Sequence, residues 1–183
     1  MNLEHLSRIA RTALTSNAHY QRFFDALRTE LPVDRLCAAV QLDPYTAYLP
    51  RVAQVDDLEP LLGNTGIYAD REGSRTFQVI EEGDPYLVTE QDWTDHADLA
   101  FYAVAVSANM KFPVSFGGYP TVLNFWSKTK GAFTPDLMAT LEPVVAEVSR
   151  SPFKLEPEPV GLGLRKVKAL LASREAALKA KAA

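Results

Sequence analysis

Two strand-like runs meet around a pair of adjacent glycines, Gly117-Gly118, and this feature constrains the fold of the 183-residue chain more than any other. Glycine tolerates the positive φ that tight hairpin turns require, so Ser107 to Ser115 and Pro120 to Ser127 are expected to fold back on each other. A turn centred on the two glycines pairs Met110 with Phe125, Phe112 with Leu123 and Val114 with Thr121, giving one apolar face. The other face then carries Asn109 against Trp126 and Lys111 against Asn124, with Ser107 at the far end. A slip of one residue would exchange the two faces. The apolar face must be covered, and helices are the usual cover. The polar and aromatic face either meets solvent and loops or holds a small molecule, and the sequence leaves both readings open.

Elsewhere, Leu3, Leu6, Ile9, Ala10, Ala13 and Leu14 recur at helical spacing, and so do Tyr20, Phe23, Phe24, Leu27 and Leu31. Two N-terminal helices follow from this, the second ended by Pro32 and Asp34. Residues 36–42 read as a mostly buried strand broken by Asp43-Pro44, with Tyr45 to Val55 as its hairpin partner. Residues 56–70 read as a loop containing Gly63-Asn64-Thr65-Gly66 and one possible helical turn. Thr76 to Ile80 reads as a short strand before the turn at Gly83-Asp84-Pro85. Thr134-Pro135-Asp136 should open a helix, with a capping hydroxyl, a proline in the first turn and an acid at the positive end of the dipole. Leu137, Leu141, Val144, Val145 and Val148 form its buried stripe, and Pro143 within it should kink or split the helix.

With 47% hydrophobic residues the chain has enough apolar side chains for one core. Its domains are expected at 1–150, a Pro-rich linker at 151–160 and a basic amphipathic helix at 161–183, with Gly161-Leu162-Gly163 as a hinge. Residues 1–160 hold 13 Lys/Arg and 22 Asp/Glu, net −9, whereas residues 161–183 hold 6 and 1, net +5. An acidic body repels phosphate backbones, so nucleic acid is not an expected partner. The apolar runs are far shorter than the roughly 20 residues that cross a bilayer, and no secretory signal pattern opens the chain, so cytoplasmic residence is expected. The lone Cys37 allows neither an intramolecular disulfide nor a cysteine metal pair.

The order of these elements resembles the GAF domain family over roughly residues 3–150. The residues that carry the resemblance are Leu6 to Asp43, then Glu82-Gly83-Asp84-Pro85-Tyr86-Leu87-Val88. Val106 to Val114, Gly117-Gly118, Val122-Leu123-Asn124-Phe125 and Ala132 to Leu137 follow in the family's order. The resemblance implies an α+β, PAS-like domain with a central antiparallel sheet of five or six strands. N- and C-terminal helices would pack on one face, with ligand loops on the other, here residues 56–106. It also implies binding of a small molecule and dimerisation through the terminal helices. The cyclic-nucleotide signature of the family is absent, and Cys37 sits on a strand instead of in the ligand loop where bilin carriers need it. Free methionine sulfoxide reductases on this fold use two or more redox-active cysteines, against one here.

The expected function is therefore a sensor. Its ligand would lie over Ser107, Asn109, Lys111, Asn124 and Trp126, covered by Tyr86, Trp93 and Tyr102, with Lys111 favouring an anionic or carbonyl-bearing molecule. The alternative is a dimerisation or partner-binding module whose pocket is vestigial and whose aromatics fill a core. The ligand is not identified by the sequence. His96 as a haem ligand, and Asp92, Asp95, His96 and Asp98 as a metal cluster, are weaker readings than hydrogen bonding and helix capping. No acid, base and nucleophile set emerges, so a non-enzymatic role is expected, with the signal passing to a separate output protein or to the tail.

Overall fold

In the computed structural model of the chain, residues 1–43, 46–58, 62, 69–70 and 74–153 are described. The expected linker after Phe153, the helix at 161–183, and the Gly63 to Gly66 turn lie outside them. Both N-terminal helices form, as α1 (Leu3–Ala10) and α2 (Asn17–Arg28), each ending before the last residues of its apolar stripe, so that Ala13, Leu14 and Leu31 are buried from the turns that follow. Each is capped by a side chain: the Asn2 Oδ1 accepts from the His5 amide at 3.0 Å and the Ser16 Oγ from the His19 amide at 3.2 Å.

Two nine-residue strands follow, β1 (Arg35–Asp43) and β2 (Thr46–Gln54), then the two-residue strand β3 (Ala69–Asp70). A single 3₁₀ turn spans Asp56–Leu58, where one helical turn was allowed for. The expected strand at Thr76 to Ile80 is instead a helix, α3 (Arg75–Glu82). Five residues are too few to separate the two periodicities, and the tertiary context decides: Thr76, Phe77 and Val79 are all buried on one side. Gly83 ends the helix in a left-handed conformation, φ +76°, its amide donating to the Val79 carbonyl at 3.0 Å. The remaining elements are β4 (Tyr86–Leu87), α4 (Asp92–Asp95), α5 (Ala97–Tyr102), β5 (Ala108–Phe116), β6 (Tyr119–Ser127) and α6 (Pro135–Ser149).

The six strands form one sheet in the order β3-β2-β1-β6-β5-β4, with antiparallel pairing throughout. The β5–β6 register is the one expected: Met110 faces Phe125, Phe112 faces Leu123 and Val114 faces Thr121, while Lys111 faces Asn124 and Asn109 faces Trp126. Gly117 and Gly118, at φ +58° and +90°, form the two-residue turn with both central residues left-handed. Both faces of the sheet are covered. On one side α1, α2 and α6 bury Leu6, Phe23, Phe24, Val144 and Val148 against Leu36, Met110, Phe112 and Phe125. On the other, α3 and α5 contribute Phe77, Leu99 and Tyr102 to a second cluster with Cys37, Leu49 and Trp126. Short helices, and not loops alone, therefore cover the second face.

Thr134 caps α6 as expected, its Oγ1 accepting from the Leu137 amide at 3.2 Å. Pro143 does not split the helix, which runs unbroken through it. Proline removes the bond to the carbonyl four residues earlier. Here Pro143 and Ala139 both face solvent, so water can satisfy that carbonyl.

The turn glycines differ in what surrounds them. A Cβ on Gly117 would lie 3.0 Å from the Phe153 carbonyl oxygen, whereas one on Gly118 would meet nothing within 4 Å. Gly117→Ala is expected to lower the unfolding free energy by about 1–3 kcal/mol, and by more than Gly118→Ala does. Urea denaturation followed by circular dichroism checks this; equal losses would mean that the Phe153 contact does not restrain the turn.

Candidate functional site

The polar face of the hairpin is buried. Lys111 and Asn109 are 0% exposed, and Asn124 and Trp126 are 2% exposed. The Lys111 Nζ donates to the Asn124 Oδ1 at 2.9 Å and to the Thr76 Oγ1 at 3.2 Å, and lies 5.2 Å from the centre of the Trp126 ring. Strand alternation and the hairpin register put these groups side by side, and α3 brings Thr76 from above. Burying an ammonium costs several kcal/mol unless hydrogen bonds and opposing charge or π density offset it. Those two acceptors and the indole face supply part of that offset.

Pairing of β1 with β6 extends the same face. Arg35 is opposite Trp126 and Cys37 is opposite Asn124. Arg35 is 0% exposed, hydrogen-bonded to Gln54 and 5.7 Å from the Tyr102 ring. The Trp126 indole N–H points at the Cys37 Sγ, 3.4 Å away. The Asn109 Nδ2 donates to the Phe125 carbonyl at 2.9 Å, while its Oδ1 is buried without a hydrogen-bond partner. Such an acceptor is costly in a core that serves stability alone.

The expected cover residues reach this face to different degrees. Tyr102 stacks on Trp126 with ring centres 4.3 Å apart, and Trp93 approaches it at 6.2 Å. Tyr86 is paired with Lys111 along the backbone, but its hydroxyl turns to Asp92 at 2.9 Å. Ser107 is exposed, one residue before β5, its amide donating to the Ser127 carbonyl. It stands at the rim, outside the buried set. Sequence reasoning missed Arg35, Cys37 and Thr76 as members of the face. A charged residue opening an apolar strand, two positions from Cys37, was a signal for Arg35; Thr76 gave none, because α3 was read as a strand.

Asp92 organises the edge of the site. Its carboxylate accepts from the Thr89 amide and hydroxyl, both at 2.7 Å, and from the Tyr86 hydroxyl; the His96 Nε2 lies 3.4 Å away. Burial pushes this carboxyl up, but the Thr89 and Tyr86 hydrogen bonds together with the Arg75 charge outweigh it and hold the group below its ordinary value. Burial and the Asp92 hydrogen bond raise the Tyr86 phenol. The Arg75 guanidinium covers the Tyr86 ring at 3.5 Å. Asp95, which the sequence grouped with Asp92, is exposed and accepts from Gln91 at 2.9 Å.

No family model matches the sequence, and no curated protein matches it. Solved structures are similar in fold. One is the GAF domain of a two-component sensor histidine kinase from Bacillus halodurans, with a TM-score of 0.56 at 17% identity over 69% of this chain and 85% of that chain. Another is the GAF domain from an Acinetobacter phosphoenolpyruvate-protein phosphotransferase, with 0.57 at 11% identity over 80% and 87%. A third is a free methionine-R-sulfoxide reductase from Neisseria meningitidis in complex with its substrate, with 0.59 at 14% identity over 81% and 84%.

The chain thus folds as a GAF-like α+β domain, the fold of a domain of a sensor histidine kinase and of a domain of a phosphotransferase. The third structure corrects the expectation of a non-enzymatic role. An enzyme is built on this same fold, so the want of a familiar acid, base and nucleophile set in the sequence does not exclude catalysis. Among the described residues no helix is long and apolar enough to cross a membrane.

The lowered Asp92 carboxyl makes a pH prediction. A carboxyl whose folded pKa lies below its unfolded one adds stability above the ordinary carboxylate range and loses it as pH falls through the lowered value. Asp92→Asn should therefore cost stability at pH 7 and flatten the acid side of the stability profile. Parallel profiles for wild type and variant between pH 7 and strong acid would show that Asp92 is not so held.

Proposed function

We propose that this chain is a cytoplasmic small-molecule-sensing regulatory domain. Its ligand lies against the face formed by Lys111, Asn124, Asn109 and Trp126, under Trp93 and Tyr102, beside Tyr86 and with Ser107 at the rim. The observation that carries this reading is the fully buried Lys111 ammonium, held by Asn124 and Thr76 on a face roofed by short helices. A stability core gains nothing from a buried cation and the unpartnered Asn109 Oδ1, whereas a recognition site uses both. Lys111 and Arg35 on one face favour an anionic or carbonyl-bearing ligand. The change on binding passes to a separate output protein or to the segment after the linker. The domain spans residues 1–150, followed by the linker at 151–160 and the basic helix at 161–183, and it pairs as a homodimer through its terminal helices.

A second reading has its own support. Trp126, Tyr102, Leu99 and Phe77 pack among themselves as a second core, as a dimerisation or partner-binding module with a vestigial pocket would show. Removing residues 161–183 and measuring mass by light scattering tests the dimer that both readings share: the dimer is expected to be lost, and an unchanged mass would remove the tail from the interface.

The two readings separate in one experiment. Gently purified protein is examined by native mass spectrometry, and thermal shifts are measured with small carboxylates, organic phosphates, carbonyl compounds and free methionine sulfoxide. Wild type is expected to retain a small molecule or to shift with a member of the panel. Lys111→Met combined with Asn124→Leu removes the ion together with one of its two acceptors. It is expected to be neutral or to stabilise the fold by about 1–4 kcal/mol, while losing the ligand response. Identical spectra and shifts for both proteins would overturn the sensor reading, and turnover of a panel member would make the chain an enzyme acting at this face.

A further inference from the structure

The side chain of Asn109 is half matched. It is 0% exposed, and its Nδ2 donates to the Phe125 carbonyl at 2.9 Å. Turning the amide over would set two oxygens against each other, so this bond fixes which end of the group is the Oδ1. The Oδ1 is buried and accepts no hydrogen bond from the described residues. The backbone beside it is already engaged, with the Asn109 carbonyl accepting from the Val88 amide at 3.0 Å and the residue paired with Trp126 across the hairpin. An acceptor taken out of water and given no donor costs more than an ordinary hydrogen bond gains. The Oδ1 therefore calls for an N–H or O–H that the described residues do not supply.

The charges nearby decide which kind of donor fits. Lys111 stands two residues along the same strand on the same face, about 7 Å away between backbone positions. Arg35 enters the face from β1, opposite Trp126. Both cations are 0% exposed. The one buried carboxylate among the described residues, that of Asp92, is taken up by Thr89 and Tyr86. An ammonium set on the Asn109 Oδ1 would meet these like charges with no counter-ion beside it. At about 7 Å and an effective dielectric constant near 20, one such repulsion alone disfavours it roughly 50-fold. A hydroxyl or an amide N–H makes the same hydrogen bond without that penalty.

We infer that the Asn109 Oδ1 selects the ligand of this face, an anionic or carbonyl-bearing molecule that also carries an uncharged donor, as a hydroxy acid or an N-acyl amino acid does. An oxo acid leaves the oxygen unmatched, and a free amino acid brings a further positive charge. The inference rests on the sensor reading and narrows it, since it says which anionic and carbonyl compounds the face accepts.

The test compares ligands that differ in one group. Isothermal titration calorimetry on the full chain uses 2-hydroxy, 2-(N-acetylamino), 2-oxo and 2-amino acids, each with methyl, isobutyl and benzyl side chains. In wild type, the hydroxy or N-acetyl member of a set should bind at least about tenfold more tightly than its oxo and amino counterparts, the effect of leaving one buried acceptor unpaired. In Asn109→Ala the oxo acid should bind as it does to wild type, and the advantage of the uncharged donor should vanish. Should Asn109→Ala not fold, Asn109→Val keeps the strand filled and gives the same comparison. The inference is overturned if the oxo or amino acid binds as tightly as its hydroxy counterpart, or if no member of any set binds. It is equally overturned if the preference survives in the variant, which would mean that the Oδ1 meets a buried water only. None of these outcomes removes the sensor reading, which stands or falls on the ligand response of Lys111→Met combined with Asn124→Leu.

Discussion

The register of the β5–β6 hairpin is the constraint on which the other features of this domain rest. Because side chains alternate across a strand, fixing which residue faces which also fixes which side each one occupies. Two left-handed glycines leave a turn of one length, and the turn locks Met110, Phe112, Leu123 and Phe125 to one side and Asn109, Lys111, Asn124 and Trp126 to the other. The first set calls up α1, α2 and α6 as a cover. The second set calls up α3 and α5. Shift the register by one residue and a lysine and two asparagines would enter the helix-side core, where burial without partners costs more than the fold can spare.

That division gives the molecule two interiors of different chemistry. The helix-side core is apolar and closely packed, the kind of interior whose role is cohesion. The opposite one mixes rings with Lys111, Arg35 and amides, whose desolvation cost hydrogen bonds and π contacts offset. A polar interior of this kind is common at recognition sites. The GAF-like fold hosts both sensory domains and a methionine-R-sulfoxide reductase, so the fold alone does not choose between binding and catalysis.

Much of this was legible along the chain. The hairpin and its facing pairs follow from Gly117-Gly118 and period-two alternation, and α1, α2 and α6 follow from helical spacing, with a capping residue at Thr134 for the last. Less legible was the stretch between β2 and β5. There the elements are short, and α3 shows why: a run of five residues supports a strand or a helix equally until Gly83 and a neighbouring sheet decide. Pro143 does not split its helix for a related reason, because the cost of a proline in a helix depends on whether its orphaned carbonyl faces water.

The sequence by itself determined what is local: the turn, the caps, the helical stripes and the two faces of the hairpin, since these depend on residues a few positions apart. Only the tertiary structure decided that β1 lies between β2 and β6, which sets Arg35 and Cys37 beside Trp126 and Asn124 some 90 positions away. It also decided that α3 lowers Thr76 onto Lys111 and that Asp92 turns to Tyr86. These contacts are chosen by which surfaces bury best against each other, and that competition among distant segments leaves no periodicity in the chain to read.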